Sequence, residues 1–428
     1  MKYQNIPQQL FVKNQNKLFD TMDNGELAIL CANINYPRNG DQTYPFRQDS
    51  DFFWLTGINQ DWTCLFMFKD SNGTPDTVLL TKETNKRIQL WDGPRLDKKQ
   101  AAEISGISHV EWLDTIEDYL ETFLKKATKI SMNEKANQHL TTNKESGSGI
   151  LKKHFSEYFK DREIHDICER INELRVVKEP EEINLIKQAV SISKHAYFSV
   201  LNRLKPGMME YEIEALMRYE ILKRGAEDMS FAPIIASGEN ACILHYIKND
   251  KMCRDGDLLL MDFGAEYALY PSDCSRTIPV NGKYTGRQRE IYEAVLEVYY
   301  KAMKLFKPGA TINSINEKTG LLMQKKLLEL GLLSQMDIDN QDENYPAYKQ
   351  YFPHGTTHFI GLDVHDVGGK DVPFKPGMVM SCEPGIYIQD EGLGIRIETD
   401  MLITESGADD LMADYPVEID DIEKEMAN

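Results

Sequence analysis

The sequence predicts an α/β (α+β) protein of two domains, residues 1–172 and 173–428, and three observations carry that expectation. At 428 residues the chain is too long for one ordinary core. Its first part alternates apolar strand-like runs with helical patterns. Its second part repeats one order of features twice. All four tryptophans fall within the first 112 residues, while the glycine-flanked histidines come after residue 235. The two parts are therefore expected to do different work.

In the first domain, Leu27–Ala32, Cys64–Phe68 and Thr77–Thr81 read as strands, and Asp114 to Lys126 as a helix. Glu145-Ser-Gly-Ser-Gly-Ile is expected to be a flexible loop before a further helical run. The second domain is entered through Leu174-Arg-Val-Val-Lys-Glu-Pro-Glu-Glu. There Pro180 suits a first helical turn, and Glu181 and Glu182 complement the positive helix end. Ile183, Ile186, Val190, Ile192 and Ala196 follow at helical spacing.

The repeat comes next. Each copy has a long helix, a Lys-Pro-Gly (Lys205-Pro206-Gly207; Lys307-Pro308-Gly309) and a second helix ending near Gly225 or Gly331. A strand with the spacing Gly-x5-acid-x-Gly follows: Gly256, Asp262, Gly264 in one copy and Gly377, Glu383, Gly385 in the other. Alone, that spacing arises easily by chance. Its coincidence with the helix order points to duplication, with two halves each offering an acid-bearing strand to a shared cleft.

Composition excludes several classes. A net charge of -19 disfavours nucleic acid, because phosphate binding needs clustered Lys and Arg. No run approaches the ~18 apolar residues of a membrane helix, and the first residues lack an apolar signal-peptide core. A cytoplasmic location away from membranes is expected. The seven cysteines are scattered with no CxxC, which argues against disulfides and structural zinc and for reduced, mostly buried thiols.

The apolar strand Leu258-Leu-Leu-Met-Asp262 should not end on a buried acid unless something compensates its charge. Eleven residues on, Asp273 can return antiparallel beside it. Val379-Met-Ser-Cys-Glu383 repeats the pattern, and alternation in Ile395-Arg396-Ile397-Glu398 puts Arg396 and Glu398 on one face. Four converging carboxylates match two divalent cations in charge. Cys274 and Cys382 adjoin these acids but should face away. His354, His358 and His365 cluster in a glycine-flanked segment; His245 stands alone, and by itself reads as a hydrogen-bonded core residue.

The runs Leu260-Met-Asp-Phe-Gly-Ala-Glu-Tyr, His354-Gly-Thr-Thr-His-Phe-Ile-Gly-Leu-Asp-Val-His, Cys382-Glu-Pro-Gly-Ile-Tyr-Ile and Gly394-Ile-Arg-Ile-Glu closely resemble the aminopeptidase P and prolidase branch of the pita-bread metallopeptidases. Tyr44-Pro-Phe-Arg-Gln-Asp-Ser-Asp-Phe-Phe-Trp-Leu-Thr-Gly resembles the N-terminal domain of that branch. The resemblance implies a pita-bread fold over 173–428 and a metal site of Asp262, Asp273, His358, Glu383 and Glu398. Asp262 would bind one ion, His358 and Glu383 the other, with Asp273 and Glu398 bridging. The pair is usually manganese in that branch, and oxygen-rich ligation with one imidazole also accommodates zinc, cobalt or iron.

The expected activity is removal of the N-terminal residue from peptides with proline second, by a hydroxide shared between the two ions. Glu383 is the expected proton shuttle, and His245 and His365 hydrogen-bond donors to the substrate and oxyanion. Arg396 is expected to hold a carboxylate, and His354 to stand behind the ligands. Tyr387 and Asp41 are further supporting candidates. Trp91 either packs within the first domain or walls the pocket of a partner subunit in a homo-oligomer, a dimer or tetramer. A prolidase, cleaving only Xaa-Pro dipeptides, is the nearest rival. A methionine aminopeptidase does not normally carry such an N-terminal domain, and a creatinase-like hydrolase lacks the metal site. A binding protein on the same scaffold usually loses ligand residues, and here all five remain.

Overall fold

In a computed structural model of the protein, which describes residues 3–134, 145–342 and 345–427, the chain divides into two units. One spans 5–175; the other spans 176–428 and includes residues 1–4.

The strand Glu26–Cys31 is buried at every position, as a strand covered on both faces must be. It lies inside a six-stranded mixed sheet ordered Val110–Trp112, Pro75–Thr81, Cys64–Lys69, Glu26–Cys31, Lys129–Met132, Ile164–Asp166. The three strands read from the sequence are therefore adjacent and antiparallel. Phe66, Phe68 and Phe123 pack on one face with Ile130 and Leu151.

One expectation fails in this unit. Gly147 and Gly149 belong to the helix Gly147–His154, whose first turn is capped by the Ser146 hydroxyl. Gly147 is there because the helix start presses on the strand Glu26–Cys31 and the residue after it: a Cβ would lie 2.0 Å from the Ala32 carbonyl oxygen.

The repeat is plain in the larger unit. Helix Pro180–Leu201 opens with Pro180 and a Glu179/Glu182 capping box, and helix Glu210–Leu222 follows. Helices Gly286–Met303 and Ile312–Glu329 are their counterparts. Both Lys-Pro-Gly glycines take left-handed φ values, +94° at Gly207 and +85° at Gly309, which a side chain would resist. Each is clipped by the same two backbone hydrogen bonds. Gly207 N–H donates to Cys253 and Cys253 N–H to Met208; Gly309 N–H donates to Phe374 and Phe374 N–H to Ala310. Cys253 and Phe374 each lie three residues before the glycine that opens the acid strand, Gly256 or Gly377.

The strands match as well. Leu258–Phe263 lies between Ile234–Ser237 and Cys274–Pro279. Val379–Cys382 lies between Phe359–Ile360 and Thr399–Ile403, with Ala408–Asp410 beyond. All these neighbours are antiparallel, so two similar sheets each present one acid-bearing central strand. A hairpin, Gly385–Ile388 with Leu393–Arg396, follows the second.

Candidate active site

The acids and the imidazole sit where strand pairing stops or is interrupted. Asp262 is the penultimate residue of its strand, Asp273 immediately precedes Cys274–Pro279, and Glu383 immediately follows Val379–Cys382. Glu398 falls in the two-residue break between Leu393–Arg396 and Thr399–Ile403, and His358 stands just before Phe359–Ile360. Antiparallel return brings the first pair together, Asp262 lying opposite Ser275.

All five line a cavity of about 300 Å³ with His245, His354, His365 and Arg396. Phe231, Ala232, Ile234, Leu244, Ile247 and Val364 give the same cavity an apolar lining. The structure thus gathers every sequence-predicted residue of the main set in one place. Cys274 and Cys382 are buried outside it. His245 is no core residue: it is exposed and faces the cavity, correcting the reading of that histidine taken alone. Asp41 lies in an exposed turn bonded by Gln42 and is not among the cavity residues. Trp91 is 83 % exposed on helix Lys86–Asp92, so packing within the first domain is ruled out.

His358 Nε2 lies 3.3 Å from Asp273 and 3.6 Å from Glu383, while Nδ1 faces its neighbour's carbonyl, Phe359 O, at 3.1 Å. That carbonyl fixes the ring with Nε2 toward the acids. Among the described residues, Asp273, His358 and Glu398 form the one group of three or more donors close enough for a single cation.

Arg396 donates to Asp262 Oδ2 at 2.6 Å, to the Tyr387 hydroxyl at 2.9 Å and to Ser275 at 2.8 Å. The carboxylate it holds is therefore Asp262. The Tyr387 hydroxyl also meets His354 Nε2 at 2.8 Å, and His354 Nδ1 lies 3.5 Å from Glu383. A hydrogen-bonded chain, Asp262–Arg396–Tyr387–His354, runs from the first acid strand and ends beside Glu383 of the second, with His354 Nδ1 pairing with the Gly355 carbonyl at 2.7 Å.

The electrostatics are those of a site short of positive charge. Burial, then repulsion from Asp273 and Glu383, raises Asp262 to about 7 even against Arg396. Burial and neighbouring carboxylates also push Glu398 far above the usual range, and burial lifts Glu383. Burial alone would lower His358, but Asp273 and Glu383 outweigh it and raise the imidazole to about 9. His354 goes the other way, to about 3, through burial and Arg396. Asp262 Oδ1 is buried with no hydrogen-bond partner. One oxygen tied by Arg396 and the other left open suits a cation ligand, and the donor set fits oxygen-loving divalent metals.

Sequence reasoning missed Asp400, Ser275 and Ser381. Asp400 is fully buried and its carboxylate accepts from the Asp273 backbone N–H at 3.3 Å. The alternation that paired Arg396 with Glu398 extends to it. Ser275 donates to Glu398 at 2.7 Å, and Ser381 donates to Glu383 at 3.3 Å while accepting from the His358 N–H. Lone serines beside acids carry no sequence signal of this kind.

Two pseudo-symmetric sheets delivering carboxylates and one imidazole to a common cavity define a metal-dependent hydrolase. The chain belongs to metallopeptidase family M24, whose family model matches residues 184–405, and it carries an aminopeptidase P N-terminal domain over residues 11–131. It is 36 % identical to the Xaa-Pro aminopeptidase of Haemophilus influenzae, over 98 % of both chains. The low-pH form of aminopeptidase P from Escherichia coli superposes with a TM-score of 0.91 at 33 % identity, over 99 % of each chain. A zinc-substituted form of that protein, in complex with product, gives 0.88 at 32 % identity, again over 99 % of each.

Proposed function

We propose that this chain is a dinuclear metallo-aminopeptidase that removes the N-terminal residue from peptides with proline in second position. The observation that carries the reading is a cluster of five donors, two buried and three half-buried, beside an apolar cavity wall, in a chain matching Xaa-Pro aminopeptidases over nearly its whole length. Asp262 would hold one ion, His358 and Glu383 the other, with Asp273 and Glu398 shared. Bound there, divalent cations supply the charge that activates a water and polarises the scissile carbonyl. Manganese suits the oxygen-rich set, and zinc remains compatible with it.

The chain's own residues do the rest. Glu383, beside His354 and His358, would carry a proton to the leaving nitrogen. His245 and His365, exposed in the cavity, donate hydrogen bonds to the substrate and to the developing oxyanion. Arg396 orients Asp262, and His354 acts through Tyr387 and Glu383. An Xaa-Pro bond has no N–H and a fixed ring, so recognition falls to shape. The apolar wall of Phe231, Ile234, Leu244 and Val364 offers that.

An exposed Trp91 suits a homo-oligomer in which it meets a partner subunit. The seven free cysteines suit a reducing, cytoplasmic setting. No helix of the described residues is long and apolar enough to cross a membrane. Comparing Xaa-Pro with Xaa-Pro-Ala tests the assignment. Cleavage of the tripeptide between its first two residues is expected; activity confined to the dipeptide makes the protein a prolidase instead.

A further inference from the structure

We propose that Lys178 and Asp366 act as a positioning pair that sets the place of His365 in the cavity. The catalytic part of this inference rests on the reading of His365 as a substrate-facing donor. Lys178 Nζ lies 2.9 Å from Asp366 Oδ2, with both side chains 1 % exposed. The two are 188 residues apart in sequence. Lys178 belongs to the segment entering the catalytic unit and otherwise has no part in the site.

Each partner is anchored in turn. Lys178 Nζ also donates to the Val176 carbonyl at 3.2 Å, and its backbone N–H donates to Gly377 at 3.0 Å, where the second acid strand begins. Asp366 N–H donates to Phe359 at 2.9 Å, and Asp366 Oδ1 accepts from Asp363 N–H at 3.4 Å. The pair lies directly on the intervening loop. A Cβ on Gly361 would be 1.9 Å from Asp366 Oδ2 and 2.8 Å from Lys178 Cε. His365 is the residue just before Asp366, and its ring centroid stands 4.4 Å from that of His358.

A buried ion pair is a poor source of net stability, because desolvation offsets its attraction. It is a good source of geometry. Here it fastens the loop carrying His365 to the strand entry that leads to Glu383, so a cavity donor and a proposed ligand share one frame. Small displacements of a positioned donor cost rate more than binding.

The test uses the full-length, manganese-loaded protein and two variants, Lys178→Met and the shape-conserving Asp366→Asn, which decides if the first does not fold. On Xaa-Pro-Ala, kcat should fall about tenfold or more while KM changes by less than about threefold. The loss should largely vanish in a His365→Ala background, since the pair acts through that ring. Independently of turnover, in the zinc-loaded protein (zinc is diamagnetic, whereas manganese would broaden a ring this close to the site), the His365 ring resonance, assigned by its absence in His365→Ala, should shift or broaden in both variants, with that of His109 in the N-terminal unit unchanged. An unmoved His365 resonance in the folded variants overturns the proposal. So does an equal loss of kcat in the His365→Ala background. If the parent protein fails to cleave Xaa-Pro-Ala, the functional reading falls, while the resonance still decides whether the pair positions His365.

Discussion

Each unit buries acid, and the two do so in opposite ways. In the N-terminal unit Glu26 is fully buried, but Arg170 grips both its oxygens, Ser131 donates at 2.5 Å, the Asp23 N–H donates at 2.8 Å and Lys129 stands 3.4 Å away. Burial alone would raise its pKa; Arg170 and Ser131 overcome that and hold it at about 2. In the catalytic unit Asp262, Asp273, Glu383, Glu398 and Asp400 gather around Arg396 and His358, and burial with mutual repulsion pushes four of the five upward. The first centre is closed by the chain's own charges. The second is left open for cations that the chain does not supply.

The contrast breaks most visibly at Glu398. Glu398→Gln should lower turnover on the order of 10³-fold and reduce bound metal, both measured on one sample. The matching change in the other unit, Glu26→Gln, should do the reverse. It strands Arg170 and costs about 3 kcal/mol of stability in equilibrium denaturation, with kcat per folded molecule unchanged. Tyr387→Phe, which cuts the polar chain between the repeats, should lower kcat between ~10-fold and ~100-fold with metal retained.

The smallest effects are those of pH: the underlying shifts are opposite, Glu26 lowered and Asp262 raised, yet both effects grow as pH rises. Glu26 has a folded-state pKa below its unfolded value, so its stabilisation is complete above about 4.5 and is lost as pH falls toward about 2. The stability gap between wild type and Glu26→Gln should close across that window. In the catalytic unit, Asp262 at about 7 and His358 at about 9 hold protons that a cation must displace. Manganese affinity should therefore rise from pH 7 to 9 (roughly its steepest range), with proton release detectable by calorimetry in buffers of different ionisation enthalpy.

Some of this was readable in the sequence for a physical reason. Asp262 and Glu383 end apolar strands, a contradiction that only a compensated charge resolves, and the doubled Lys-Pro-Gly marked the repeat. Arg396 could be set on the face of Glu398 by alternation, but its partner Asp262 lies 134 residues away and appeared only on folding. The same alternation extends to Asp400, two residues beyond Glu398. Gly147 read as loop because glycine favours turns, whereas its role is to let a helix press against a strand. Lys178 reads only as part of the entry to the second domain, since burial of a lysine depends on a partner that no local pattern reveals.

Thermal unfolding of wild type and Glu398→Gln, each metal-free and then manganese-loaded, tests the central claim most directly. If the acid cluster is short of positive charge and cations complete it, manganese raises the melting temperature of wild type and raises that of the variant far less. The metal-free variant then melts at or above metal-free wild type, because a repelling charge is gone. A metal-free variant that melts several degrees lower, with manganese giving wild type no gain, would contradict the account.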